Sequence, residues 1–240
     1  MLRHLFKTTS HNRVVLTLRL ACLLCSLQVL SLSAQSTHWR VEAESPKTRV
    51  LWRGDTLDVT SPQGVSLWWD EPMELPAAVS YRACVVVQDG CFDRLSDLNS
   101  FMLASDPLKP TPMHGIAQRG GRFVESYRLK CYYLGYGGNY NTTTRFRRYT
   151  ADTLGVADVQ RRPPVLVEYT DPSHLLLPNH WYSIKITAVP EGTAARIRYE
   201  VDGECIVDYL DTTPLSRGWF ALRSTWSHLR VTQFVVSKPQ

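Results

Sequence analysis

Short segments in which apolar and polar residues alternate recur along the chain from Trp39 to Val236, and Gly, Pro, Asp and Asn bound them. Helical periodicity is nearly absent. A period of two is typical of strands that bury one face, whereas a helix repeats every 3.6 residues. The pattern therefore predicts about a dozen strands and an all-β jelly-roll sandwich of two stacked antiparallel sheets. GWFALRSTW and HLRVTQFVV are predicted as the last two strands, and Leu154–Leu177 as an irregular surface loop.

One segment, GYGGNYNTTTRFRRYT (Gly135–Thr150), joins a glycine-rich turn to a strand pattern. The period of two places one set of side chains on a common face: Asn141, Thr143, Arg145, Arg147 and Tyr149. Thr142, Thr144 and Phe146 fall on the opposite face. Two guanidinium groups, an amide and a phenol suit a carboxylate or a sulfate. The alternative is a solvated strand face, or an edge strand guarded against aggregation.

The first 34 residues have the pattern of a secretory signal peptide with a long basic leader. Four basic residues and no acid precede an apolar run, LACLLCSLQVLSL, and we predict cleavage after Ala34. That run is short for a membrane span, so the mature chain is expected to be exported to the periplasm or beyond without one. Lipid attachment at Cys22 or Cys25 is the alternative. Residues 35–240 contain no linker and are expected to form a single, monomeric domain.

The charge of the chain changes once the leader is removed. The full sequence has 27 basic and 22 acidic side chains, and four of the basic ones lie in the leader. The mature chain is therefore close to neutral, which removes the main support for nucleic-acid binding. A site that binds an anion must therefore be formed by a local cluster of basic side chains and not by the net charge of the chain.

Four cysteines remain in the mature chain: Cys84, Cys91, Cys131 and Cys205. In an oxidising compartment one or two disulfides are possible, and the sequence does not choose among the three connectivities; the spacing of Cys84 and Cys91 allows a bridge if they close a hairpin. Cys131 can also be a small buried core residue. Because no pair has C-x-x-C spacing, and no phosphate loop, dinucleotide fingerprint or zincin motif is present, we expect neither a metal nor a cofactor.

Two resemblances add to this picture. The order HWYSIKITAV, ARIRYEVDGECIVDYLD and PLSRGWFALRSTWSHLRVTQFVV resembles the C-terminal half of concanavalin A-like jelly rolls. The combination of Asp93–Pro107, Leu129–Tyr149 and Gly218–Val231 resembles an uncharacterised exported family, a domain of unknown function from bacterial glycan-degradation loci. That family is related in shape to a second one found with rhamnogalacturonan (pectin) breakdown. The resemblance implies a concanavalin A-like sandwich and brings no catalytic residues with it.

Three clusters compete for the functional site. The first surrounds Asp97 and Asn99, the second Arg145 and Arg147, and the third Arg223 and His228. We predict Tyr149 and His228 as acid/base groups. The predicted ligand-binding residues are Asp97, Asn99, Lys130, Tyr132, Asn141, Arg145, Arg147 and Arg223. The alternatives are a turn tied by Asp97 and a structural histidine at position 228.

Aromatic faces stack on sugar rings, and Arg, Asp and Asn bind hydroxyls and carboxylates. Arg beside a uronate with Tyr or His as the proton acceptor is the chemistry of β-elimination, whereas glycoside hydrolysis needs two carboxylic acids. The sequence therefore predicts an exported lyase or glycoside hydrolase that acts on an acidic, pectin-like polysaccharide. The alternative is a non-catalytic, lectin-like protein that binds a polysaccharide or an oligosaccharide.

Overall fold

The computed structural model describes residues 38–107, 119–151 and 162–239, and the predicted leader lies outside these residues. Thirteen strands form in the described part: β1 (Trp39–Ala43), β2 (Arg49–Arg53), β3 (Thr56–Trp69), β4 (Met73–Glu74), β5 (Ala77–Val85), β6 (Leu98–Ser105), β7 (Lys130–Gly137), β8 (Thr143–Thr150), β9 (Val165–Tyr169), β10 (Trp181–Glu191), β11 (Ala194–Val201), β12 (Glu204–Asp211) and β13 (Arg217–Ser237). The helical elements are short: a turn at Gly138–Asn141 and 3-10 helices at Phe123–Arg128 and Pro172–His174. None of the helices described could cross a membrane.

The strands pair in the order β12-β11-β10-β5-β13-β6-β7-β8-β9, and the pairs are antiparallel. One layer holds β5, β10, β11 and β12, and the other holds β6 to β9. β13 passes from one layer to the other, because its first half pairs with β6 and its second half with β5. β3 runs beside it. The predicted all-β jelly-roll sandwich is confirmed.

Two predicted boundaries are wrong. The sequence predicted separate strands GWFALRSTW and HLRVTQFVV, but both belong to β13, whose register against β3 shifts between Thr225 and Ser227. The sequence also predicted an irregular loop from Leu154 to Leu177, and β9 lies within that range. The prolines around β9 masked its β-branched and aromatic residues.

The main core lies between the two layers. Phe146 of β8 is fully buried there, with its ring centroid 5.7 Å from that of Tyr199 and 5.5 Å from that of Tyr209. Tyr132 of β7 stacks on Phe146 from the same layer and donates a hydrogen bond of 2.7 Å to Asp211 of β12. Ring pairs and a satisfied buried hydroxyl thus join the layers.

A second core lies on the opposite face of β6, β7 and β8, which we call the pocket face. It contains Phe101, Tyr133 and Tyr149, and the segment 119–129 covers part of it. Arg119 anchors this segment: its guanidinium lies 2.9 Å from Asp106, and both side chains are buried. Breaking a buried ion pair costs about 3–5 kcal/mol, so the cover is firmly attached.

The four cysteines among the described residues are free thiols in the structure, so none of the disulfides that the sequence allowed is formed there. Cys84 is buried in β5, whereas Cys91 lies exposed beyond that strand. Cys131 is a buried core residue of the pocket face, as its apolar context allowed. Spacing alone misled here because the two ends of CVVVQDGC do not face each other across a hairpin.

Candidate functional site

A cavity of about 830 Å³ opens on the pocket face. β7 and β8 supply one wall, and residues near the bends of β3 and β13 supply another. Among the described residues, its lining includes four arginines but two carboxylates, Glu44 and Asp97. The arginines are Arg94, Arg145, Arg147 and Arg162. The cavity is therefore lined by an excess of positive charge.

Strand alternation along β8 builds the cationic wall. Thr143, Arg145, Arg147 and Tyr149 all line the cavity, while Phe146 points into the core between the layers. This is the separation of faces that the period of two predicts from Thr143 onward. Neighbouring residues of β8 therefore line the cavity and fill the core in turn.

The two predicted arginines have different partners. Nε of Arg145 donates a hydrogen bond of 2.7 Å to Glu168 on β9, which neutralises its charge at the mouth of the cavity. Nη1 of Arg147 donates to the backbone carbonyl of Pro163, which carries no net charge. Arg147 thus keeps its positive charge available for an anionic ligand.

Asp97 combines a ligand-facing position with a structural role. It accepts hydrogen bonds from Ser96 (2.6 Å) and Asn99 (3.1 Å), and it lies 3.1 Å from the guanidinium of Arg94. Its φ of 64° is left-handed, and these donors hold that turn. Asn99 is fully buried behind Asp97 and does not line the cavity. It was predicted to bind ligand, but in the structure it donates a hydrogen bond to Asp97 and so supports that side chain.

Two exposed aromatic rings stand at the rim of the cavity. Tyr140 is 72% exposed and Trp226 is 52% exposed. Both have a left-handed backbone, with φ of 61° and 44°. Such conformations are costly for bulky residues and concentrate at functional sites. The guanidinium of Arg94 lies 4.7 Å from the ring centroid of Tyr140, which orients that ring.

Asn141 belongs to the turn Gly138–Asn141, which also holds Tyr140, and not to the face of β8 that carries Arg145. Its φ is 57°, and its amide exchanges hydrogen bonds of 2.9 and 2.8 Å with the backbone of Leu176. The prediction that Asn141 shares a face with Arg145 is therefore wrong. Glycine and asparagine enable the left-handed turn that removes it from the strand.

The inner end of the cavity is aromatic. The ring centroids of Tyr133 and Tyr149 are 5.4 Å apart, and Phe101 packs beside both. Tyr149 is fully buried, and burial raises its pKa well above the ordinary value. A general base needs a pKa near the working pH, so the predicted base role for Tyr149 has no electrostatic support. Its hydroxyl is suited to donate.

His228, the second predicted acid/base group, is not among the described residues that line the cavity. Its Nε2 lies 3.0 Å from Asp58, and its Nδ1 lies 3.4 Å from Asp93. The two carboxylates hold the ring between β3 and the turn after β5. The structural alternative for His228 therefore fits the geometry.

Three more predicted residues lie outside the cavity lining. Lys130 and Tyr132 are on the other face of β7, where Tyr132 points into the main core. The register prediction missed Tyr133, which the same alternation assigns to the pocket face. Arg223 is buried, donates to the carbonyl of Gly121 (3.2 Å), and lies 4.5 Å from the ring centroid of Phe123, so it holds the covering segment.

Comparison with solved structures shows the fold. A protein of unknown function with a galectin-like fold from Bacillus subtilis matches with a TM-score of 0.58 and 14% identity, over 84% of this chain and 90% of that chain. The carbohydrate-binding module CBM66 from Bacillus subtilis matches with a TM-score of 0.52 and 11% identity, over 83% and 95%. A legume lectin-like domain from Entamoeba histolytica matches with a TM-score of 0.54 and 9% identity, over 85% and 92%.

Sequence comparison gives the family. No curated protein matches the chain. One family, described as "Domain of unknown function (DUF6250)", matches residues 59–234, which run from β3 to the last part of β13 and include β6, β7 and β8. Because the match spans well over half of the sequence, the chain belongs to the DUF6250 family.

Proposed function

We propose that this protein binds an acidic, uronate-containing glycan in the cavity of the pocket face. The observation that carries the proposal is Arg147, a guanidinium on the cavity wall whose partner there is the neutral carbonyl of Pro163. Guanidinium groups bind carboxylates through a planar pair of donors. A carboxylate-bearing sugar would supply the charge that this wall lacks.

The rim supports a sugar as the ligand. Tyr140 and Trp226 present flat apolar faces to solvent at the mouth of the cavity, and both are held in costly left-handed conformations. Sugar rings have an apolar face that packs on aromatic rings, and their hydroxyls need polar partners such as Asp97. The rim and the wall together match an acidic sugar better than a small free anion.

The fold gives a precedent for this use. The neighbours include a carbohydrate-binding module and a legume lectin-like domain, although their low identity transfers no residue to this chain. The leader predicts export, so the proposed glycan is one that the protein meets in the periplasm or outside the cell. A pectin-like substrate is the natural first choice for testing.

Binding is favoured over catalysis by the positions of the predicted acid/base groups. Tyr149 lines the cavity but stays protonated, and His228 is engaged by Asp58 and Asp93. For hydrolysis, the two carboxylates of the described lining are Glu44 and Asp97, and Asp97 is already held by three donors. The lyase or hydrolase predicted from the sequence therefore lacks a supporting geometry.

Calorimetric titration of the mature chain with a galacturonic acid oligosaccharide tests the proposal. Carboxyl-reduced oligosaccharide of the same length is the neutral control. We expect the acidic ligand to bind and Arg147→Ala to weaken it, while Arg198→Ala, on the outer face of β11, leaves affinity unchanged. Equal binding of the acidic and reduced ligands would overturn the acidic specificity. Absorbance of unsaturated uronates and reducing-end release in the same mixtures would reveal catalysis.

A further inference from the structure

The hydroxyl of Tyr149 is a buried polar group that has no hydrogen-bond partner among the described residues. The side chain is fully buried, yet it lines the cavity. An unsatisfied buried hydroxyl costs about 1–3 kcal/mol, so such groups are rare unless a ligand or a water completes them. The position of this hydroxyl at the inner end of a ligand-sized cavity indicates a ligand group.

Tyr133 brings a second phenol to the same place. A Cβ atom at position 135 would lie 2.9 Å from the Tyr133 hydroxyl, so Gly135 provides the space that this hydroxyl occupies. Both Tyr133 and Gly135 line the cavity. Burial raises the pKa of Tyr133 as it does that of Tyr149, so both phenols remain neutral donors at physiological pH.

Arg147 supplies the positive charge beside these donors. It precedes Tyr149 by two residues on β8, shares its face, and acts electrostatically on both phenol hydroxyls. Asp97 is the carboxylate that acts on Tyr133, and the guanidinium of Arg94 lies 3.1 Å from it. The inner end therefore combines two neutral O–H donors with an arginine that no described carboxylate neutralises.

We propose that Tyr133, Tyr149 and Arg147 form an anion subsite that receives the carboxylate of one uronate residue at the inner end of the cavity. This subsite rests on the proposed glycan-binding function and adds which group of the ligand is bound and by which atoms. A carboxylate has enough acceptor positions for two hydroxyl donors and a guanidinium. Its arrival would also satisfy the unpaired hydroxyl of Tyr149.

The test is Tyr149→Phe, which removes one hydroxyl and keeps the ring. Tyr199→Phe is the matched control, because Tyr199 is a fully buried tyrosine of the core between the layers. We expect Tyr149→Phe to lower the affinity for a galacturonic acid trisaccharide about tenfold, the scale of one hydrogen bond to a charged group. Its melting temperature should be unchanged or higher, because an unsatisfied hydroxyl is lost. Tyr199→Phe should leave affinity unchanged.

Gly135→Ala is the second variant, since its methyl group would displace the Tyr133 hydroxyl. This variant is expected to bind the trisaccharide more weakly, while its circular dichroism spectrum stays that of the parent chain. Carboxyl-reduced trisaccharide should bind Tyr149→Phe and the parent chain equally. A sulfated galactan without uronate residues is the third ligand, and tighter binding of it than of the uronate would overturn the choice of carboxylate.

The failure of the subsite is distinguishable from that of the proposed function. If Arg147→Ala weakens the acidic ligand but Tyr149→Phe does not, the glycan binds in the cavity with its carboxylate elsewhere, and the subsite is wrong. If Tyr149→Phe weakens the reduced trisaccharide as much as the acidic one, the hydroxyl recognises a neutral group, and the subsite is again wrong. If the parent chain binds no acidic glycan, both proposals fall.

Discussion

A guanidinium nitrogen of Arg145 lies 2.6 Å from a carboxylate oxygen of Glu168, across the pair formed by β8 and β9. Both side chains are partly exposed, so the pair contributes only about 0.2–1 kcal/mol to stability. It also withholds one arginine from any acidic ligand. Glu168→Gln is therefore expected to tighten binding of a galacturonic acid oligosaccharide by a factor of about 1.4 to 5, which is the same energy expressed as affinity.

Calorimetric titration of Glu168→Gln measures this effect. Glu200→Gln on β11 is the control, since Glu200 lies 3.8 Å from Lys185 and does not line the cavity. An increase of affinity that disappears at high salt would support direct release of Arg145, because screening weakens exposed charge interactions. Unchanged affinity at low salt would show that Arg145 takes no part in binding.

The alternation of β8 predicts opposite effects for two neighbours. Phe146→Ala should lower the free energy of unfolding by about 3–5 kcal/mol, because it empties a fully buried position of the main core. Arg147→Ala should change stability little and weaken binding of the acidic ligand by about 1.5–3 kcal/mol. Arg147→Lys should retain only part of that binding energy, because lysine keeps the charge but lacks the planar pair of donors. Urea denaturation and titration of both variants give the two quantities. A harmless Phe146→Ala would contradict the register.

Trp226→Gly separates ligand binding from backbone strain. Glycine accepts the left-handed φ of 44° without cost, so stability should stay the same or rise. Loss of the exposed ring should weaken a long oligosaccharide about two- to tenfold, on the scale of one aromatic contact. A monosaccharide that does not reach the rim should bind as before. Equal losses for both ligands would place Trp226 elsewhere in the binding mode.

The contact between β12 and the opposite layer should make stability pH-dependent through Asp211. Burial raises the pKa of this carboxyl, but hydrogen bonds from Tyr132, from the backbone of Thr213 and from Arg148 outweigh it and lower the pKa. The stabilisation is therefore complete above the unfolded-state pKa of about 3.9 and is lost as the pH falls through the folded-state pKa.

Asp211→Asn tests this dependence. The variant should lose about 1.5–3 kcal/mol of stability at pH 7, the scale of hydrogen bonds to a charged group. The difference from the parent chain should shrink as the pH is lowered below the unfolded-state value. Urea midpoints across the acidic range measure it, with Asp89→Asn, an exposed residue of the segment after β5, as the control. A difference that is constant with pH would contradict the role of the charge.

Local pattern was enough to predict most of the fold and the face of β8 that lines the cavity. The alternation from Thr143 to Tyr149 assigns Arg147 to one face and Phe146 to the other without knowledge of neighbours, because strand geometry alone sets the period. Tyr133 was predictable by the same rule, and only the choice of face along β7 was missed.

The remaining errors depend on contacts between distant residues. His228 was predicted as an acid/base group because imidazole can carry a proton, yet Asp58 and Asp93 bind its ring from a strand and a turn far away in sequence. Asn141 continued a polar pattern that the left-handed turn breaks. Trp226 lies where the register of β13 shifts, which no short pattern reveals.

The passage of β13 through both layers determines when this chain can fold. β13 is the last strand of the described residues, and its partner β3 is near the start of the sandwich: His228 and Asp58, which meet across this pair, are 170 residues apart. Until β13 has emerged from the ribosome, β5 and β6 lack the strand that joins them. Formation of the sandwich is therefore delayed until β13 has been synthesised, and loop-closure entropy slows it further. Truncation within β13 would leave β5 and β6 with unpaired edges that are prone to aggregation.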